Sequence, residues 1–161
     1  MDKTEILPAI LAALTQQLHE TVAALTQAQA GATDAESRPE NKYDTRALET
    51  SYLAAAHTER AESLRRVIAQ VHFWRPDPGM TRVAPGALVE LEGERVPRWV
   101  FLTPFPASMV VTVAGQPIQV VTTNAPLAMA LLGKEAGDDV TVRVAGQTHD
   151  VTIVAIDPPQ L

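Results

Sequence analysis

From Leu7 to Ala28, the positions Leu7, Leu11, Leu14, Leu18, Thr21, Leu25 and Ala28 alternate steps of four and three residues. On a helix of 3.6 residues per turn, that spacing gathers them into one narrow stripe, the seam of a coiled coil. Pro8 has no N–H to donate and belongs in the first turn, so the helix begins near it. A second stripe repeats the spacing at Ala47, Thr50, Ala54, His57, Ala61, Leu64, Ile68 and Val71, flanked by Leu53 and Val67. Between the stripes, "GATDAESRP" carries Gly31 and Pro39 and no large apolar side chain, as a connection does. The pattern predicts an antiparallel helical hairpin over residues 1–76. Alanines at 47, 54 and 61 allow a close approach of the two helices, whereas Thr50 and His57 weaken the seam. With a rise of 1.5 Å per residue, about 22 to 30 helical residues carry the turn roughly 35 to 45 Å from its base.

The stretch "FWRPDPGMTRVAPG" ends the second helix, because Pro76, Pro78, Gly79 and Pro85 do not continue it, and 77–85 reads as a linker. Phe73 and Trp74, just before it, are expected to pack the helix end against the second domain. The apolar period then changes to two. "ALVELEGE", "RWVFLTP", "SMVVTVAG", "IQVVTTN", "DVTVRVAG" and "HDVTIVAI" are short, rich in Val, Ile and Thr, and bounded by Gly or Pro, as strands are. Ala145-Gly146 turns the last two into a hairpin. One helix interrupts the strands, "PLAMALLGK", with Pro126 at its first position and Gly133 as its C-terminal cap. The fold class is α+β: a helical hairpin, then a small antiparallel sheet with one short helix over 86–161.

Composition narrows the chemistry. With 161 residues, 46% of them apolar, the chain can bury a core. No window of eighteen apolar residues occurs, and Asp2 and Glu5 stand where a secretory signal would carry positive charge, so the expected location is the cytoplasm, away from membranes. The chain has no cysteine, which removes disulfides, zinc thiolate sites and thiol catalysis. His19, His57, His72 and His149 are scattered, so no metal site is expected in the free protein. Net charge is −6; residues 1–76 hold eight basic and ten acidic side chains, and the remainder five and nine. Neither half has the basic excess that binds naked nucleic acid, which points to a protein partner. Arg60, Arg65 and Arg66 read as an exposed helix face interleaved with Glu59 and Glu62. "LLGKEAGDD" is no phosphate loop: the earlier glycine that such a loop requires is Ala128, and the stretch follows a helix.

Residues 122–156, "TTNAPLAMALLGKEAGDDVTVRVAGQTHDVTIVAI", resemble the C-terminal domain of the bacterial transcription elongation factors GreA and GreB. Asn124, Pro126, Ala128, Ala130, Leu131, Gly133, Lys134 and Gly137-Asp138 follow that family's pattern at its spacing. The hairpin, with "PENKYD" at its turn, resembles the family's N-terminal domain. The resemblance implies an FKBP-like domain that docks on RNA polymerase beside the secondary channel through residues of the kind found at Asn124, Ala125 and Pro126. It further implies a coiled coil that enters the channel, where two acidic tip residues help to hold the polymerase's second Mg²⁺ and position water, so that the polymerase hydrolyses backtracked RNA. On this reading the chain is a monomeric accessory factor, not itself an enzyme. It has no cofactor of its own, shares Mg²⁺ with the polymerase, and meets nucleic acid only inside the polymerase complex.

At the tip, the family's pattern is Asp, two residues, Glu, Asn. Glu40 and Asn41 fit it, Ser37 stands in place of the aspartate, and Tyr43 follows one position early. Glu36 and Asp34 are the nearby candidates for the second carboxylate. Four other readings stay open: a Gre-like regulator or inhibitor that occupies the channel without cleavage; an FKBP-like peptide-binding module; a purely structural coiled-coil oligomer; and a solvated turn whose Glu40 and Asp44 complement the positive end of the return helix. Ala125 replaces the family's serine at the N-cap, a change that costs about 1 kcal/mol on average.

Overall fold

The computed structural model describes residues 3–33 and 45–158. They divide into two compact units: Leu11–Ala69, and Met1–Ile10 together with Gln70–Leu161. Two helices of 28 residues, α1 (Ile6–Thr33) and α2 (Arg46–Phe73), supply the first unit with all but their ends at 6–10 and 70–73, and a 3-10 turn over Lys3–Glu5 precedes them. Pro8 falls in the first turn of α1, where its missing N–H costs nothing.

In the helical unit the predicted stripe of α2 is its inner face. Ala47, Thr50, Ala54 and His57 are half-buried between exposed neighbours, and Ala61 and Leu64 are buried. Val67 is buried and Ile68 half-buried, so the seam shifts by one residue there. On α1, Leu14 and Ala28 are buried, with Leu18, Thr21 and Leu25 half-buried. Arg60 Nη2 donates to Gln17 Oε1 at 3.3 Å, and a Cβ on Gly31 would lie 3.4 Å from the Thr50 methyl. Contacts from 17 to 60 and from 31 to 50 are the crossing order of an antiparallel pair. Thr21 and Thr50 satisfy their hydroxyls within their own helices, on Gln17 O and Arg46 O, so the seam holds no unpaired hydroxyl at those positions. Small residues fill the distal seam, whereas Leu48, Tyr52 and Leu53 remain exposed, Tyr52 by 68%.

The second unit is built on a six-stranded sheet of β1 (Leu88–Gly93), β2 (Trp99–Thr103), β3 (Met109–Val113), β4 (Gln116–Thr122), β5 (Asp139–Val144) and β6 (Gln147–Ile156). Its order is β3-β4-β2-β1-β6-β5. The sheet is mixed instead of wholly antiparallel: β2 and β4 pair in parallel, Val100 opposite Gln119 through Thr103 opposite Thr122, and the other pairs are antiparallel. The reason is the insertion of β4 between β2 and β3. Residues 104–108 cross two strand spacings, about 10 Å, which five residues reach easily. Buried Thr103 anchors that crossing, its hydroxyl shared between Phe105 O at 3.0 Å and Val121 O at 3.3 Å.

Both edge hairpins close through the same residues. Ala145 and Gly146 have φ of 50° and 81° between Val144 and Gln147, and Ala114 and Gly115 have 49° and 75° between Val113 and Gln116. Two positive φ values in a two-residue loop make a type I′ turn, whose twist matches that of the strands. α3 (Pro126–Leu131) lies over one face of the sheet, where Ala128 and Leu131 join Val89, Leu91, Val100 and Leu102 in the core. Every residue of β2 is buried, as suits a strand covered on both faces.

Trp74 does pack inward, its ring centroid 6.1 Å from that of Phe101 and 5.4 Å from that of Phe105. Phe73 does not: it is 81% exposed and meets only the edge of His72 among ring contacts. Adjacent helical residues differ by about 100° in direction, so the turn that brings Trp74 inward carries Phe73 away. Ile6 and Ile10, which the heptad reading passed over in favour of Leu7 and Leu11, are fully buried and belong to this unit.

Asp157 ties three segments of the unit together. Its Oδ2 accepts from Lys3 Nζ at 2.6 Å and Met80 N at 3.0 Å, and its Oδ1 accepts from Leu88 N at 2.8 Å. Lys3 Nζ also donates to Asp77 O at 2.6 Å. The Asp157 side chain is 4% exposed. Further along, Val83 is buried, its N–H donates to Lys134 O, and its carbonyl accepts from Gly133 N.

Candidate functional site: the turn before the short helix

The turn begins where β4 ends. Thr123 N donates to Thr103 O at 3.1 Å, and Ala125 N donates to Thr122 O at 2.9 Å, closing residues 122–125. The Thr122 hydroxyl donates to Asn124 Oδ1 at 2.9 Å and holds that amide over the turn. Pro126 disfavours helical backbone at Ala125, which adopts φ −69° and ψ 145°, and its own fixed φ suits the first helical position. No side chain caps the helix; a serine at 125 would supply the hydroxyl that alanine lacks.

Ala128 and Leu131 fix α3 to the core. With those two inward, the helix turns Pro126 and Met129 outward; Pro126 is exposed and Met129 is 58% exposed. Asn124 is exposed and Ala125 half-buried. Gly133, at φ 76°, ends the helix as a left-handed residue, with Leu132 N donating to Ala128 O and Lys134 N to Leu131 O. The three residues singled out from the sequence are thus consecutive in one ordered turn, with two of them exposed at its crest. Met129 was not singled out, although the phase of the helix carried the signal: an apolar residue beside Ala128 and two before Leu131 must point away from the core.

The turn is electrically neutral. Between Arg98 and Lys134 the sequence has no Asp, Glu, Lys or Arg, so β2, β3, β4 and α3 carry no formal side-chain charge. Asp34, Glu36 and Glu40, together with Ser37, lie outside the described residues. Among the described residues, no group of three or more His, Asp or Glu is placed to hold a metal ion, and no helix is long and apolar enough to cross a membrane.

The structure thus presents a six-stranded sheet with one short helix behind a proline-led turn, and a helical hairpin. Residues 114–158 match the family model "Transcription elongation factor, GreA/GreB, C-term". Residues 114–158 thus carry a domain of the GreA/GreB C-terminal type. Similar solved structures include GreA factor homolog 1 (Gfh1) of Thermus thermophilus, 21% identical, covering 92% of this chain and 94% of that one, with a TM-score of 0.40. Gfh1 of Thermus aquaticus is 19% identical over 94% of this chain and 96% of that one, with a TM-score of 0.38. A GreA/GreB factor of Nitrosomonas europaea is 20% identical over 69% of this chain and 93% of that one, at 0.35. No curated protein is a significant match.

Proposed function

We propose that this chain is an RNA polymerase-binding elongation factor that docks through Asn124, Ala125 and Pro126 and places its helical hairpin in the polymerase's secondary channel. The observation that carries the proposal is the turn itself: within a segment of the GreA/GreB type, Asn124, Ala125 and Pro126, which resemble the family's docking residues, lie in one ordered, uncharged turn with Asn124 and Pro126 exposed. The hairpin is suited to insertion, since 28 residues of helix extend about 42 Å at 1.5 Å per residue. It is thin, because small residues fill its distal seam.

In the channel, Glu40 with Glu36 or Asp34 would hold Mg²⁺ jointly with the polymerase; carboxylate oxygens are the ligands that Mg²⁺ prefers, and one or two suffice beside water and phosphate. The ion, when bound, polarises phosphoryl oxygens and activates water. Ser37 offers a neutral hydroxyl where the family has a charged ligand, so cleavage stimulation rests on Glu36 or Asp34 reaching the place of that ligand. Occupancy of the channel without cleavage is the second reading, and Ser37 is the observation that favours it.

Transcript cleavage in a backtracked elongation complex separates the two. If the tip is active, the chain stimulates cleavage and Glu40→Ala removes most of the stimulation. If wild type and Glu40→Ala both leave the backtracked RNA intact while slowing extension, the chain modulates the polymerase by occupancy. A stimulated rate that Glu40→Ala does not change rules out a role for that carboxylate.

A further inference from the structure

Resting on that docking reading, the geometry points to Met129 as the apolar anchor of the same surface. It is therefore a specificity-determining residue that inserts into an uncharged apolar pocket on the polymerase. Three observations carry it. Met129 is 58% exposed although it belongs to a helix whose Ala128 and Leu131 are fully buried. It lies three residues after Pro126, so the two side chains share the outer face of α3, next to Asn124 at the turn. The surroundings are uncharged in sequence from Trp99 through Gly133, in a chain of which 20% is charged.

The turn and α3 carry no formal charge of their own, so they offer a charged pocket or a phosphate backbone no ion pair. An apolar protein pocket suits it, because methionine is flexible and polarisable and fits irregular apolar contours, and proline adds a rigid neighbour that loses no rotamer freedom on binding. Asn124 then fixes orientation through its amide, which the Thr122 hydroxyl already positions.

The test measures binding of the full chain to its cognate RNA polymerase core at low and at moderate salt. Met129→Ala should weaken binding about tenfold, as loss of a buried apolar side chain does, and Met129→Leu should stay within about twofold of wild type. The loss should be the same at both salt concentrations, because apolar contact is not screened. Thermal unfolding should change little in both variants, since Met129 is 58% exposed in the free fold. If Met129→Ala binds like wild type while Pro126→Asp does not, Met129 is outside the interface and the inference fails with docking intact. If wild type itself does not bind polymerase, the docking reading fails first. A wild-type dimer in sedimentation that Met129→Ala dissolves would make the surface a self-association face and overturn the assignment.

Discussion

Asp157 is a carboxylate whose value lies in how many segments it holds. It accepts from one side-chain ammonium and two backbone N–H groups while its side chain is 4% exposed. Removing it strands Met80 N and Leu88 N and leaves Lys3 only Asp77 O, whereas removing Lys3 leaves the carboxylate its two backbone donors. Asp157→Ala should therefore lower the unfolding free energy of its domain by about 3 kcal/mol, and Lys3→Met by clearly less. Urea titration followed by tryptophan fluorescence reads this directly, because Trp74 and Trp99 both lie in that unit. Equal losses in the two variants would mean that the ion pair, and not the backbone bonds, carries the effect. Nothing local in the sequence marks this residue: its partners stand at 3, 80 and 88, and only the folded chain brings them to one carboxylate.

At the scale of elements, the paired "VAGQ" turns give the sharpest test. Alanine at φ near +50° sits in a conformation that costs L-residues roughly 1 to 2 kcal/mol and that asparagine tolerates better. Ala114→Asn should raise stability by about 0.5 to 1 kcal/mol in calorimetry, and an unchanged or lower midpoint would mean that the turn is not strained as described. Much of this level was legible in advance. The three-and-four spacing located both helices, the short Val-rich runs located the six strands, and Ala145-Gly146 marked its hairpin. The parallel pairing of β2 with β4 was not legible, because strand order depends on which strand enters the gap that residues 104–108 leave, and no residue pattern within a strand encodes its neighbour. Phe73 misled for a simpler reason: hydrophobicity identified a buried aromatic near the helix end, and only the helical phase decided between it and Trp74.

Across the whole molecule, charge is distributed to suit a protein partner. The net charge is −6, and the run from Trp99 to Gly133, which includes the α3 turn, carries no formal side-chain charge. The candidate docking residues were legible because proline, asparagine and the capping glycine each mark a backbone geometry as well as a family pattern. The tip carboxylates were legible only as composition: Asp34, Glu36 and Glu40 lie outside the described residues, and convergence of side chains is a property of loop shape that spacing does not give. The central claim concerns docking, and Pro126→Asp tests it well, since aspartate is accepted in the first turn of a helix and the fold should survive while a charge enters a neutral interface. The decisive measurement is the affinity of the full chain and of Pro126→Asp for purified cognate RNA polymerase core. Tight binding by wild type with at least a tenfold loss in a normally folded variant is the predicted result. Equal affinity in the two, or no binding by wild type, would contradict the account.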